Sequence, residues 1–204
     1  MKYEDHMKCL VVTTHPLSDS LCKQLTDYVV EQLTKNGYDV TVEDLYADNF
    51  TPALTARERE SYYGVSYDSS NIEKQVNRLL DAEALILLFP TWWFGFPAML
   101  KGWFDRVWGP GIAYDHANNF GPIKPRLEKL SKVLVVTTLG SPWWVDRLVM
   151  WQPVKRITRI ALLGACARNS KLQFLSLYNS EKLNTQEITR FKVKIGKALD
   201  SWGT

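Results

Sequence analysis

The sequence predicts one doubly wound α/β domain on a five-stranded parallel sheet, and three observations carry that prediction. Short apolar runs that read as strands alternate with amphipathic stretches that read as helices. Two of those runs, ALILLF and KVLVVTT, are apolar without alternation, the pattern of strands buried on both faces. No linker, internal repeat or low-complexity tract divides the 204 residues, so a single domain is expected.

The elements follow in order. Lys8 to Thr14 (KCLVVTT) reads as a first strand, then the turn-like HPLSDS leads into a helix from about Ser20 to Asn36. Leu21, Leu25, Tyr28, Val29, Gln32 and Leu33 form its inner stripe, Asp19 or Ser18 is expected to cap its start, and Gly37 its end. Tyr38 to Glu43 alternates as a second strand. A polar segment from Asp44 to Ser70 follows, with a short helix expected at Thr55 to Tyr63. Asn71 to Asp81 is amphipathic and runs into ALILLF, the third strand. Pro97 suits a first helical turn, and PAMLKGWFDRVW continues as a helix until Gly109, Pro110 and Gly111 stop it. A long connection, Ile112 to Leu130, precedes a fourth strand at Lys132 to Thr138. Beyond Pro142 come an aromatic helical stretch, a helix at Val154 to Leu163, a fifth strand at Lys171 to Tyr178 and a last helix at Asn184 to Trp202.

Composition narrows the functional class. With 46% hydrophobic and 23% charged residues the chain has the make-up of a globular protein, which excludes a disordered or collagen-like one. The formal charge of +3, with no basic block, leaves no footprint for nucleic acid or an anionic membrane, so small-molecule chemistry is the better expectation. Cys9, Cys22 and Cys166 are odd in number and scattered, which argues against a disulfide framework or a zinc site and for a reducing cytoplasm. Met1 to Met7 lack an apolar run, so no signal peptide is read there. The uncharged stretch Ala84 to Leu100 is too short and too interrupted to insert in a membrane. Eight tryptophans are the oddity, and flat ligands are one reason to keep them near a cleft.

In doubly wound sheets ligands bind beyond the carboxyl ends of the strands, so the loops HPLSDS, PTWWFGFP and TLGSPWW are where function is sought. The first lacks G-x-G-x-x-G and the Walker pattern. It offers His15, Ser18, Ser20 and helix-start N–H groups to an anion, against an ordinary cap with a surface histidine. The second puts Trp92, Trp93 and Phe94 at the mouth of a buried strand, where a planar aromatic ligand explains them; burial against a helix or a subunit is the plainer reading. Trp103, Phe104 and Trp108 sit at helical spacing and read as core or interface. Lys101, Asp105 and Arg106 read as a solvated or interface face. Cys22 reads as an inert thiol and Cys9 as core.

FPTWWFGFPAMLKGWFDRVWGPGIAY closely resembles the flavin-contacting segment of the NAD(P)H:quinone oxidoreductases of the DT-diaphorase type, whose fold is flavodoxin-like with strand order 2-1-3-4-5. Looser similarity runs through the first loop and the TT-x-G of the fourth strand. The resemblance implies a flavin held by His15, Ser20, Leu21 and Cys22 around its phosphate. Pro90, Thr91, Trp92, Trp93 and Phe94 would lie along the ring, with Thr137, Thr138, Leu139 and Gly140 at its edge. FAD is expected, with FMN as the alternative. The resemblance further implies a homodimer and ping-pong catalysis, in which NAD(P)H reduces the flavin by hydride transfer to N5 and a quinone-like acceptor then replaces it. Tyr114 and His116, in AYDHANN, match substrate-pocket positions of that family; a solvent-facing histidine is the plainer reading of His116.

The departures are specific. Vertebrate members carry a Tyr and a His after the third loop that stabilise charge on the reduced flavin, whereas this chain has PWWVDRLVMW, so proton handling differs or falls to His116. The long C-terminal extension of those members is absent from the sequence, as in the shorter bacterial relatives. Two other readings stand beside the enzyme: a flavin-binding regulatory subunit of a potassium-efflux system, and a flavodoxin-like electron carrier. Carriers of that kind are strongly acidic, and this chain is not.

Overall fold

The computed structural model describes residues 6–117 and 121–203. Residues 1–5, on which the absence of a signal peptide was read, and residues 118 and 119 of AYDHANN lie outside the described residues.

Five strands, β1 (Lys8–Thr13), β2 (Asp39–Asp44), β3 (Ala84–Pro90), β6 (Lys132–Thr138) and β7 (Lys171–Leu177), pair in parallel in the order β2-β1-β3-β6-β7. This is the expected 2-1-3-4-5 order. The registers run straight across: Leu10 pairs with Leu85, Leu85 with Val133, and Val133 with Leu172. The central strand β3 is buried along its whole length, which accounts for its unbroken apolar sequence. Alternate side chains feed two cores. Cys9, Val11, Ile86, Leu88, Leu134 and Val136 meet α1 (Leu21–Lys35) and α7 (Thr185–Asp200). On the opposite face Leu10, Val12, Leu85, Leu87, Val133 and Val135 meet α3 (Glu73–Asp81), α4 (Ala98–Val107) and the helical segment after β6.

The caps show how local sequence sets these elements. Ser20, not Asp19 or Ser18, caps α1: its Oγ accepts from the Lys23 N–H at 3.2 Å. Gly37 ends the helix with φ +77°, as its type allows. The segment after β2 is more ordered than its polarity announces. Leu45 and Phe50 are buried, and α2 (Ala56–Ser61) opens with a capping box in which Thr55 and Glu58 satisfy each other's backbone N–H.

Two expectations are corrected. Arg106 does not lie on a solvated face. It is 4% exposed, and its guanidinium grips the buried Glu58 carboxylate, with Nε 2.9 Å from Oε1, while also donating to the Thr51 carbonyl. The Lys101–Asp105 pair is exposed, as expected of a helix surface. The helix expected at Val154 to Leu163 begins as α5 (Pro153–Arg156), widens into a π turn at Ile157–Leu163 and closes as α6 (Gly164–Cys166). The connection after α4 also contains a small antiparallel pair, β4 (Tyr114–Asp115) with β5 (Lys124–Pro125). Trp103, Phe104 and Trp108 are core, edge to face at 5.3–6.3 Å. Gly102 lets α4 press on the chain before α2, since a Cβ there would stand 2.2 Å from the Pro52 carbonyl oxygen.

Candidate functional site

The strands β1, β3 and β6 are neighbours, so their following loops emerge side by side at one end of the sheet. Backbone hydrogen bonds tie these exits together: Thr14 N–H donates to Leu88 O at 3.0 Å, Thr91 N–H to Thr138 O at 2.8 Å, and Leu139 N–H to Leu177 O at 2.8 Å. The hydroxyls of Thr91 and Thr137 meet at 2.7 Å, joining the second loop to the third. His15 lies 6.4 Å, ring to ring, from Trp92 and so joins the first loop to the second.

In the first loop the Leu17 N–H donates to His15 Nδ1 at 3.0 Å, and the same nitrogen lies 3.3 Å from the Leu17 carbonyl. Leu21 and Cys22 occupy the first two helical positions, where N–H groups have no partner within a helix. An anion at this helix start would meet those amides, the His15 ring and the Ser20 hydroxyl, and α1 has no acidic residue in its first turn. Cys22 contributes backbone only. Its thiol is buried, 3.9 Å from Thr13 Oγ1, and burial pushes its pKa up to about 11 against the pull of that contact. Cys9 and Cys166 are likewise buried and free.

The second loop is a tight turn. Gly95 N–H donates to Trp92 O at 2.9 Å, Trp92 N–H returns to Gly95 O at 3.3 Å, and the two residues between have φ +51° (Trp93) and +55° (Phe94). This is the mirror-image turn for which Asn-Gly is the ordinary filling. Bulky aromatics in the left-handed region cost about 1–3 kcal/mol each. In return Trp93 stands 100% exposed beside the half-exposed Trp92, so the turn holds an indole shelf open to solvent above the sheet.

The third loop supplies Thr138 and Leu139, both buried, and Gly140. A residue from beyond β7 closes on this glycine: Glu181 Oε1 lies 3.1 Å from where a Gly140 Cβ would sit. Two hydroxyls that sequence reasoning missed flank the three loops. Thr14 Oγ1, just past β1, and Ser141 Oγ, just past β6, are buried without a hydrogen-bond partner. Such orphans carry a cost of about 1–3 kcal/mol unless a bound group or water satisfies them. Their position at both sides of the β3 exit could have been anticipated from the strand ends alone.

These residues fit a flavin: free amides and hydroxyls for a phosphate, an exposed indole shelf for a planar ring, and unused hydroxyls beside the strand ends. Tyr114 and His116 are placed elsewhere. They form a cluster with Tyr62 at the end of α2, where Tyr62 Oη and Tyr114 Oη meet at 2.8 Å and His116 Nε2 donates to the Tyr62 carbonyl at 3.1 Å. His116 also stacks on Tyr63 at 4.8 Å, and the Arg59 guanidinium lies over the Tyr62 and Tyr63 rings at 5.6 and 5.1 Å.

Sheet order, helices on both faces and three convergent loops at the strand ends define a doubly wound α/β protein with a candidate ligand site at the strand ends. A family model described as flavodoxin-like fold matches residues 7–162, and the chain belongs to this family. Among curated proteins it is similar to the uncharacterized NAD(P)H oxidoreductase YcaK of Escherichia coli, at 36% identity over 105 residues covering 51% of this chain and 54% of that protein. It is also similar to NAD(P)H dehydrogenase [quinone] 1 of Rattus norvegicus, at 34% identity over 155 residues covering 66% of this chain and 54% of that protein. The chain thus spans about half the length of these two relatives. Among solved structures, the FMN-dependent NADH-azoreductase of Bacillus anthracis in complex with FMN shares the fold, with TM-score 0.76, 14% identity, and coverage of 97% of this chain and 100% of that one. No helix among the described residues is long and apolar enough to cross a membrane.

Proposed function

We propose that the chain is a flavin-dependent NAD(P)H oxidoreductase that reduces quinones or similar electrophilic acceptors in a ping-pong cycle. The observation that carries this reading is the Trp92–Gly95 turn, whose two left-handed aromatic residues, Trp93 fully exposed and Phe94 partly buried, hold an exposed indole surface at the carboxyl end of the sheet. When bound, the flavin supplies the hydride chemistry at N5. The protein's part is to hold it: the α1 start, His15 and Ser20 take the phosphate, the Trp92–Phe94 shelf lies along the ring, and residues 137–140 line its edge. FAD is the flavin proposed. FMN is the second reading, favoured by the FMN named for the azoreductase that shares this fold. Three buried free thiols fit work in a reducing cytoplasm.

The test is an anaerobic NADPH titration of the flavin-loaded protein, followed by its visible absorption. Stoichiometric bleaching reversed by added quinone is expected. A bound flavin bleached by neither NADPH nor NADH would move the chain to the carrier or regulatory-subunit readings, and failure to hold any flavin would sink all three. Trp93→Ala is expected to weaken flavin binding by about 1 kcal/mol, roughly fivefold, through lost ring contact; unchanged affinity by fluorescence titration would count against the shelf.

The proposed unit is a homodimer. Trp144, Leu148, Trp151, Ile157 and Ile160, all on the segment after β6, are large apolar side chains left exposed, and clustering of such residues marks interaction surfaces. A second copy is the proposed cover. Light scattering is expected to give twice the chain mass for the native protein and the chain mass for Ile160→Glu; a native protein of single-chain mass would refute the dimer.

A further inference from the structure

The resemblance to the quinone oxidoreductases gives Tyr114 and His116, in the connection after α4, to the acceptor pocket. Both reach Tyr62, the C-terminal cap of α2: its hydroxyl meets the Tyr114 hydroxyl at 2.8 Å, and its backbone carbonyl accepts from His116 Nε2 at 3.1 Å. A carbonyl oxygen only accepts, so the neutral His116 ring carries its proton on Nε2 and leaves the Nδ1 lone pair for a ligand.

The phenol pair has the same logic. When Tyr62 Oη–H donates to Tyr114 Oη, the Tyr114 proton is released to donate onward, and each bond polarises the next. A quinone carbonyl has lone pairs and no proton, so it needs a donor; a hydroquinone O–H needs an acceptor. The Tyr114 hydroxyl supplies the first and His116 Nδ1 the second.

Tyr62 itself is held firmly. Tyr67, whose ring meets the Tyr62 ring edge on at 5.8 Å, donates from its hydroxyl to the Arg106 carbonyl at 2.9 Å. The Arg106 side chain binds Glu58 of α2. Arg106 belongs to α4, the helix that follows the Trp92–Gly95 turn within a few residues. The Tyr62 ring is thus linked through Tyr67 to α4, the helix that follows the indole shelf.

The geometry points to Tyr62 as the positioning residue of the acceptor pocket: its hydroxyl orients the Tyr114 donor and its carbonyl fixes His116 as the Nε2–H tautomer, with Nδ1 turned over to the substrate. This rests on the reading that Tyr114 and His116 meet the acceptor. Tyr62 is not a catalytic residue, because it acts only through these two.

The experiment has two parts. The ¹⁵N spectrum of the flavin-loaded protein, recorded where His116 is neutral and assigned with His116→Ala, is expected to show the Nε2–H tautomer in both the native protein and Tyr62→Phe, because the carbonyl remains. An Nδ1–H tautomer in the native protein overturns the proposal without any variant having to fold. In steady-state assays Tyr62→Phe is expected to raise the quinone KM about five- to tenfold, the worth of one oriented hydrogen bond, with kcat changed less than KM. Tyr114→Phe should match it, and the double variant should be no worse than either single one. A raised KM in Tyr114→Phe with none in Tyr62→Phe overturns the positioning role and keeps the pocket. Unchanged KM in both Tyr114→Phe and His116→Ala refutes the pocket itself.

Discussion

Arg106→Ala is expected to lower the stability of the fold by about 3–5 kcal/mol, the usual cost of stranding a buried charge. The stranded group is Glu58, which the fold buries almost completely against that guanidinium. Burial pushes the Glu58 carboxyl up, but the Arg106 hydrogen bonds, the Thr55 cap contacts and the Arg106 charge outweigh it and hold the pKa below the ordinary value. A carboxyl depressed in the folded state stabilises above its ordinary pKa, and that contribution is lost as pH falls through the lowered one. In Arg106→Ala burial acts without its main opponent, so the deficit should be largest at neutral pH and shrink as the pH falls below about 4. Urea unfolding at pH 7 and pH 3.5 measures both points; a deficit independent of pH would show that the guanidinium matters for packing and not for charge.

The second large effect belongs to Trp103, which is 0% exposed and joins two problems in one side chain. Trp103→Ala removes the largest fully buried side chain, at about 3–5 kcal/mol for the cavity. It also takes away the indole N–H that donates to Glu43 Oε1 at 2.8 Å, leaving that fully buried carboxylate with Arg78 at 3.3 Å. Trp103→Phe separates the two: most of the volume stays and only the donor goes, with an expected loss of about 1.5–3 kcal/mol. Equal losses in the two variants would mean that the cavity contributes nothing and the hydrogen bond everything. Either way the flavin should bind more weakly to Trp103→Ala, since α4 carries the end of the indole turn.

The sequence made the sheet legible because its signals are local. ALILLF has to be a strand buried on both faces, and Pro97 has to open a helix, whatever else the chain does. The three candidate loops followed from strand order alone. What stayed hidden depends on partners far along the chain. Arg106 looks like half of an exposed Asp–Arg pair until Glu58, 48 residues earlier, closes on it. Tyr62 gives no periodic signal, sits in the polar stretch after β2, and gains its meaning only when Tyr114 arrives from 52 residues away. The orphaned hydroxyls of Thr14 and Ser141 are invisible for a different reason: lacking a partner is a property of three-dimensional surroundings and leaves no trace in residue order. The π turn at Ile157–Leu163 escaped because its residues keep the apolar content of an ordinary helix.

The Trp92–Gly95 turn sets a boundary on how far this protein can be made heat-resistant. Ranking substitutions by stability alone would place Asn-Gly at 93 and 94 near the top, since both positions ask for a left-handed backbone that neither aromatic prefers. That exchange would yield a hardier domain with a bare strand end. Natural variation that preserves function should therefore resist the thermodynamically favoured residues here, and a library selected for melting temperature and one selected for turnover should diverge first at these two positions.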